Sequence, residues 1–146
     1  MAFTSEQLQA IHTTGKNITV AASAGSGKTT VLVERIMKRV MQDHIPLDHF
    51  LAMTFTEAAA SEMKSRLLDR LTKTIQEQPE NAEYCKEQLV LLSKAQISTI
   101  HSFCLSVIKE NYAYIGMDIQ RVNTIISEEE EQPESTPMLQ LWQLCP

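Results

Sequence analysis

Eight consecutive residues, Ala22-Ser23-Ala24-Gly25-Ser26-Gly27-Lys28-Thr29, carry the clearest chemistry in the sequence. Gly25 and Gly27 let the backbone curl so that its N–H groups point inward. Such donors, placed at a helix N-terminus, stabilise a polyphosphate. Lys28 sets a compact positive charge where β and γ phosphates would lie. The Thr29 hydroxyl can ligate Mg²⁺, which neutralises the same oxygens. The strict pattern has Gly where Ala22 stands. The competing reading is a glycine turn beside a surface lysine. Context favours the phosphate loop, because the motif requires a strand before it and a helix after it.

Both flanks fit. Ile18-Thr19-Val20-Ala21-Ala22 is a short apolar run that reads as a buried strand. After the loop, Leu32, Val33, Ile36, Met37 and Val40 form the buried stripe of a helix. Upstream, Thr4-Ser5-Glu6-Gln7 has the form of a capping box, with Phe3 as a staple and Leu8 and Ile11 facing inward. That helix runs to about Thr13 and stops at Gly15. Phe50-Leu51-Ala52-Met53-Thr54 reads as a second strand, and Thr56 caps a helix continuing through Leu71, with Met63, Leu67 and Leu71 inward. Arg66, Arg70 and Lys73 share another face of it, readable as an ordinary solvated surface. Pro79-Glu80-Asn81 is a turn before a polar helix ending near Lys94. Gln96-Ile97-Ser98-Thr99 is a third strand, and Ile100, Phe103, Cys104, Val107, Ile108 and Tyr112 follow with helical spacing. Three strand–helix units predict an α/β fold, a parallel sheet flanked by helices.

The 146 residues, 43% hydrophobic and 21% charged, suit one domain with a real core. No run approaches the roughly 20 apolar residues of a membrane span. The start of the chain has no basic region followed by an apolar one, so a cytoplasmic location is expected. Cys85, Cys104 and Cys145 make no CxxC pair and are expected as reduced thiols. The net charge of −5 is unevenly spread. Residues 1–73 hold 9 Lys/Arg against 7 Asp/Glu, whereas residues 74–146 hold 4 against 11. Any nucleic-acid contact must therefore be local and lie mainly in the first half.

Several blocks, in order, resemble superfamily 1 DNA helicases of the UvrD/Rep type. Phe3 to Ile11 looks like the Q-motif helix, and Ala21 to Ile36 like motif I, where the family commonly has Ala in place of the first Gly. Met53-Thr54-Phe55-Thr56 through Glu62-Met63-Lys64-Ser65-Arg66 looks like motif Ia. Ile97-Ser98-Thr99-Ile100-His101-Ser102-Phe103-Cys104 looks like motif Ib. Within the family the likeness is greatest to the AddA group, helicase–nuclease subunits of bacterial double-strand-break repair and recombination. The resemblance covers roughly residues 3–126. It implies a partial RecA-like P-loop NTPase domain, ATP and Mg²⁺ as cofactors, single-stranded DNA as partner, and an AddB-like partner subunit for the full-length protein.

The resemblance also implies residue roles. Lys28 and Thr29 would serve catalysis, with Thr29 on the metal. Ala22, Ser23, Ala24, Gly25, Ser26, Gly27, Lys28, Thr29 and Thr30 would surround the nucleotide. Gln7 would hydrogen-bond the adenine edge, although its position equally suits a helix cap, and both roles cannot fully hold at once. Thr54, Phe55 and Thr56 would meet single-stranded DNA, the ring stacking on a base; a core Phe at a strand end is the plainer alternative. His101 and Ser102 would contact the phosphate backbone, against a purely structural histidine.

A hydrolysing motor also needs a carboxylate pair after a buried strand, and arginines that stabilise the transferring phosphoryl group. The family supplies these in motifs II to VI, which this sequence lacks. Glu128 to Glu131 follow only Ile125-Ile126 and precede Pro133, so they read as a solvated run. Residues 1–126 are therefore expected to be the first part of motor domain 1A. Residues 127–146 are expected to form an acidic, irregular tail, a truncated or frame-shifted continuation. By this reading the fragment alone is inactive as a helicase. A self-contained small P-loop kinase or NTPase, and a non-catalytic remnant, are the other classes.

Overall fold

The computed structural model describes residues 3–124 except 24, 115, 117, 119 and 122. The expected tail, 127–146, and the boundary before it lie outside the described residues. The chain divides into two compact units in sequence, residues 1–100 and 101 onward.

The first unit begins with helix α1, Ser5–His12. Its capping box is complete: the Thr4 hydroxyl accepts from Gln7 N–H, and Gln7 Oε1 accepts from Thr4 N–H. Helix α2, Lys28–Asp43, buries Val33, Ile36, Met37 and Val40, spaced three and four apart along one stripe. It ends where His44 takes the left-handed conformation and its N–H bonds the Arg39 carbonyl. The α1 helix packs on α2. Arg35 donates to the Ala10 carbonyl, and Lys38 Nζ lies 2.7 Å from His12 Nδ1.

Strand β1, Leu51–Thr54, leads into helix α3, Glu57–Glu77. A short 3-10 turn, Pro79–Asn81, precedes helix α4, Ala82–Leu92, and strand β2, Gln96–Thr99, follows. The two strands pair in parallel, with Leu51 opposite Gln96 and Thr54 opposite Thr99. The architecture is thus α/β with a parallel two-stranded sheet and helices. Alternation sets which face is covered. Ala52, Ile97 and Thr99 are buried, and α3 packs on both strands, on α2 and on α4. The core centres on Leu67 and Leu71 of α3, with Val40, Leu47, Cys85 and Ile97 around them. Burial pushes the Cys85 thiol above its ordinary pKa, so it behaves as a small apolar side chain.

The second unit opens with helix α5, which spans Ile100–Asn111 across the division. None of its residues is buried. Among the described residues, no helix is long and apolar enough to cross a membrane.

Four expectations change. Residues 18–22 form no strand, and Ile18 and Val20 are 38% and 54% exposed. A strand persists by laddering with a neighbour. Here β1 and β2 ladder with each other and neither takes this segment. Leu8 and Leu32 are part-exposed rather than inward, because each sits at the edge of its helix's buried row. The α3 helix continues six residues past Leu71 to Glu77, since nothing breaks it before Pro79.

Candidate functional site: a glycine turn at a bare helix end

The turn before α2 is built from backbone conformations that side chains resist. Gly25 and Gly27 have φ of 75° and 79°, in the left-handed region. Gly27 is the N-cap of α2 and supplies no side-chain oxygen, and the first turn of α2 has no acidic residue. The starts of α1 and α3 differ. Thr4 and Thr56 each accept a hydrogen bond from their helix, and Glu6 and Glu57 follow them. The N-terminal amides and positive dipole end of α2 are therefore left without the usual internal partner.

The lysine and the turn belong together. Lys28 Nζ donates to the carbonyls of Ala22 and Ser23 at 3.0 and 2.7 Å. Ser26 N–H reaches the Ser23 carbonyl at 3.4 Å. The Ser26 hydroxyl oxygen is buried, with no hydrogen-bond partner among the described residues. An orphaned polar atom, bare amides and a cation within one turn suit a polyanion. Thr29, the second residue of α2, is half-buried. Ala24 lies outside the described residues.

Gln7 resolves differently from either single role. Its oxygen serves the capping box, while its Nε2 donates to the Ser26 carbonyl at 3.1 Å. A Cβ on Gly27 would lie 3.5 Å from that nitrogen, in ordinary contact. The expected adenine-recognition residue is thereby brought onto the glycine turn.

At the end of β1, Phe55 is 79% exposed, so it is not the core phenylalanine that a strand end suggests. The Thr54 hydroxyl donates to the Thr56 carbonyl at 3.0 Å, and the Thr56 hydroxyl accepts from Ala59 N–H at 3.2 Å. Together they hold the peptide on both sides of the ring. Thr99 at the end of β2 donates to Glu57 Oε1 at 2.8 Å, fixing the start of α3 against the neighbouring strand. In the second unit, His101 is exposed and Ser102 half-buried at the start of α5.

Periodicity alone makes the basic face of α3 a solvated surface, and the structure differs. Arg66 Nη1 donates to the Thr30 hydroxyl at 2.9 Å, and Arg70 Nη2 donates to Glu34 Oε2 at 2.9 Å. Thr30 and Glu34 are four apart on α2, as Arg66 and Arg70 are on α3. That matched spacing was the available signal, but only helix packing reveals that the two rows face each other. Lys73 pairs locally with Glu77.

Comparison with known proteins adds lineage to this geometry. The model of the UvrD/REP helicase N-terminal domain matches residues 3–143. The chain is 51% identical over 118 residues to an AddA-type ATP-dependent helicase/nuclease protein of Clostridioides difficile, covering 80% of this chain and 9% of that protein. Proteins of the same description from Anoxybacillus flavithermus and Lactobacillus johnsonii are 49% and 50% identical over 118 residues. The chain spans about a tenth of the length of these curated relatives.

Proposed function

Since the chain belongs to the UvrD/REP helicase N-terminal domain family, we propose that it is the ATP-binding opening part of an ATP-dependent DNA helicase. It would contribute the phosphate loop and part of the single-stranded-DNA surface to a RecA-like motor domain. The observation that carries the reading is the α2 start: two left-handed glycines, a helix end without a side-chain cap, and Lys28 within reach of the turn. These residues fit a nucleoside triphosphate with Mg²⁺, whose phosphates would supply the hydrolysable bond.

The chain's own groups have separable tasks. The amides of the turn and of the first turn of α2 would donate to phosphate oxygens. Lys28, now on the Ala22 and Ser23 carbonyls, would hold phosphate, and Thr29 would offer a hydroxyl to the metal. Gln7, by holding the Ser26 carbonyl, orients the turn and lies at its rim, where a base edge can be read. Phe55 presents a ring face to a nucleobase, with Thr54 and Thr56 fixing the backbone around it. His101 and Ser102 at a helix start suit a DNA phosphate. An AddB-like partner and a role in double-strand-break repair and recombination are part of this proposal, as the family resemblance implies.

These 146 residues hold no acidic pair after a buried strand and no second domain to close over ATP, so we expect weak nucleotide binding and no unwinding by this chain alone. The test is thermal unfolding of the 146-residue chain with Mg²⁺ and a non-hydrolysable ATP analogue, beside a strand-separation assay. At a concentration 100 times Kd, stabilisation of about 2.7 kcal/mol is expected in the wild type and none in Lys28→Ala. Equal stabilisation of both proteins, or unwinding by the wild type, would overturn the proposal.

A further inference from the structure

We infer that Arg66 is a positioning residue for the nucleotide site, acting through the Thr30 hydroxyl. The inference rests on the nucleotide-binding reading above and assigns a task to a residue that reading does not use.

Threonines within helices have a habitual partner. A helical Thr commonly donates its hydroxyl proton to the carbonyl four residues back. Thr72 donates to Leu68 at 2.8 Å and Thr74 to Arg70 at 2.8 Å. For Thr30 that carbonyl belongs to Ser26, which accepts from Gln7 Nε2, and no bond from the Thr30 hydroxyl to it is present among the described residues. Thr30 has a different partner, Arg66 Nη1 at 2.9 Å. A guanidinium has donors only, so the Thr30 oxygen must accept. Its own proton has no acceptor among the described residues. Thr30 is the third residue of α2, within the turn whose amides lack a cap. A hydroxyl that accepts from a cation becomes a better donor through its remaining proton. Arg66 thus turns Thr30 from a helix-internal donor into a donor free for an anion at the helix end.

Arg66 is itself held for this task. Its Nε and Nη2 both bond Glu62 Oε1, at 3.0 and 2.6 Å, so all three nitrogens are engaged. Glu62 neutralises the guanidinium and fixes its plane. The role is therefore geometric rather than a bare positive charge offered to phosphate.

The test is a double-mutant cycle on the full 146-residue chain, reading the Kd for Mg²⁺ with a non-hydrolysable ATP analogue by calorimetry. Arg66→Met should weaken binding about tenfold, the scale of one charge-assisted hydrogen bond. Thr30→Val should weaken it similarly, and Thr30→Ser should restore it. In the Thr30→Val background, Arg66→Met should add no further loss. Arg70→Met removes the neighbouring α3–α2 bond without touching Thr30 and should leave the Kd within about twofold.

A wild-type Kd in Arg66→Met, equal losses in both Thr30 backgrounds, or the same loss in Arg70→Met would each overturn the inference. Binding by the wild type that Lys28→Ala abolishes would leave the nucleotide reading standing in those cases. No binding by the wild type would remove that reading and this inference together.

Discussion

Single side chains carry several tasks here, and this decides what a sequence can disclose about them. Gln7 is the plainest case. Its position supports either a helix cap or a base-reading carboxamide, and the structure uses the two ends of the amide separately. No spacing rule states that an oxygen can cap while the nitrogen reaches 19 residues along the chain. The left-handed turns at Gly25 and Gly27 and the helix start at Lys28 are legible because their signals are local and their order fixed. Gln88 is not legible, since a glutamine in a polar helix gives no sign of being buried. It is 2% exposed, and its Oε1 accepts from Leu47 N–H at 3.0 Å. Replacing it with Leu leaves a buried backbone donor unmatched. Gln88→Leu should cost about 2 kcal/mol, read as a lowered urea midpoint with unchanged m value.

At the scale of elements, local signals locate those that make their own case. The Thr4 capping box, the Thr56 cap and strand Gln96–Thr99 are where the residue patterns put them. The segment at 18–22 departs from its pattern for a reason outside itself, because a strand needs a ladder and apolar, β-branched residues do not supply one. The paired arginine face of α3 escapes the pattern for a similar reason, since helical periodicity assigns faces without saying what lies opposite. The α3 helix also organises the core. Leu67 is fully buried on it, among residues contributed by α2, α4 and β2. Leu67→Ala should therefore destabilise the first unit by about 3 kcal/mol, lowering Tm by roughly 15 °C in a calorimetric scan. A loss below about 1 kcal/mol would mean that the helix is not the hub its burial indicates.

For the molecule as a whole, the sheet face that α3 does not cover is expected to set behaviour in solution. Leu51 and Met53 are each 50% exposed on β1, opposite the face that α3 covers. They line a groove of about 410 Å³ with Leu32, Ile36 and Phe50, flanked by Arg35 and Arg39. Such a surface associates with itself unless something apolar lies over it. Met53→Lys should reduce concentration-dependent association in sedimentation velocity while the circular dichroism spectrum stays the same. Unchanged association would place the sticky surface elsewhere. The connection from Thr4 through Gln7 to Ser26 reaches further than its size suggests. It makes the first turn of α1 a mechanical brace for a loop some twenty positions downstream. Loss of the Thr4 backbone bond or of the Gln7 carboxamide would slacken that loop without altering a single residue of it.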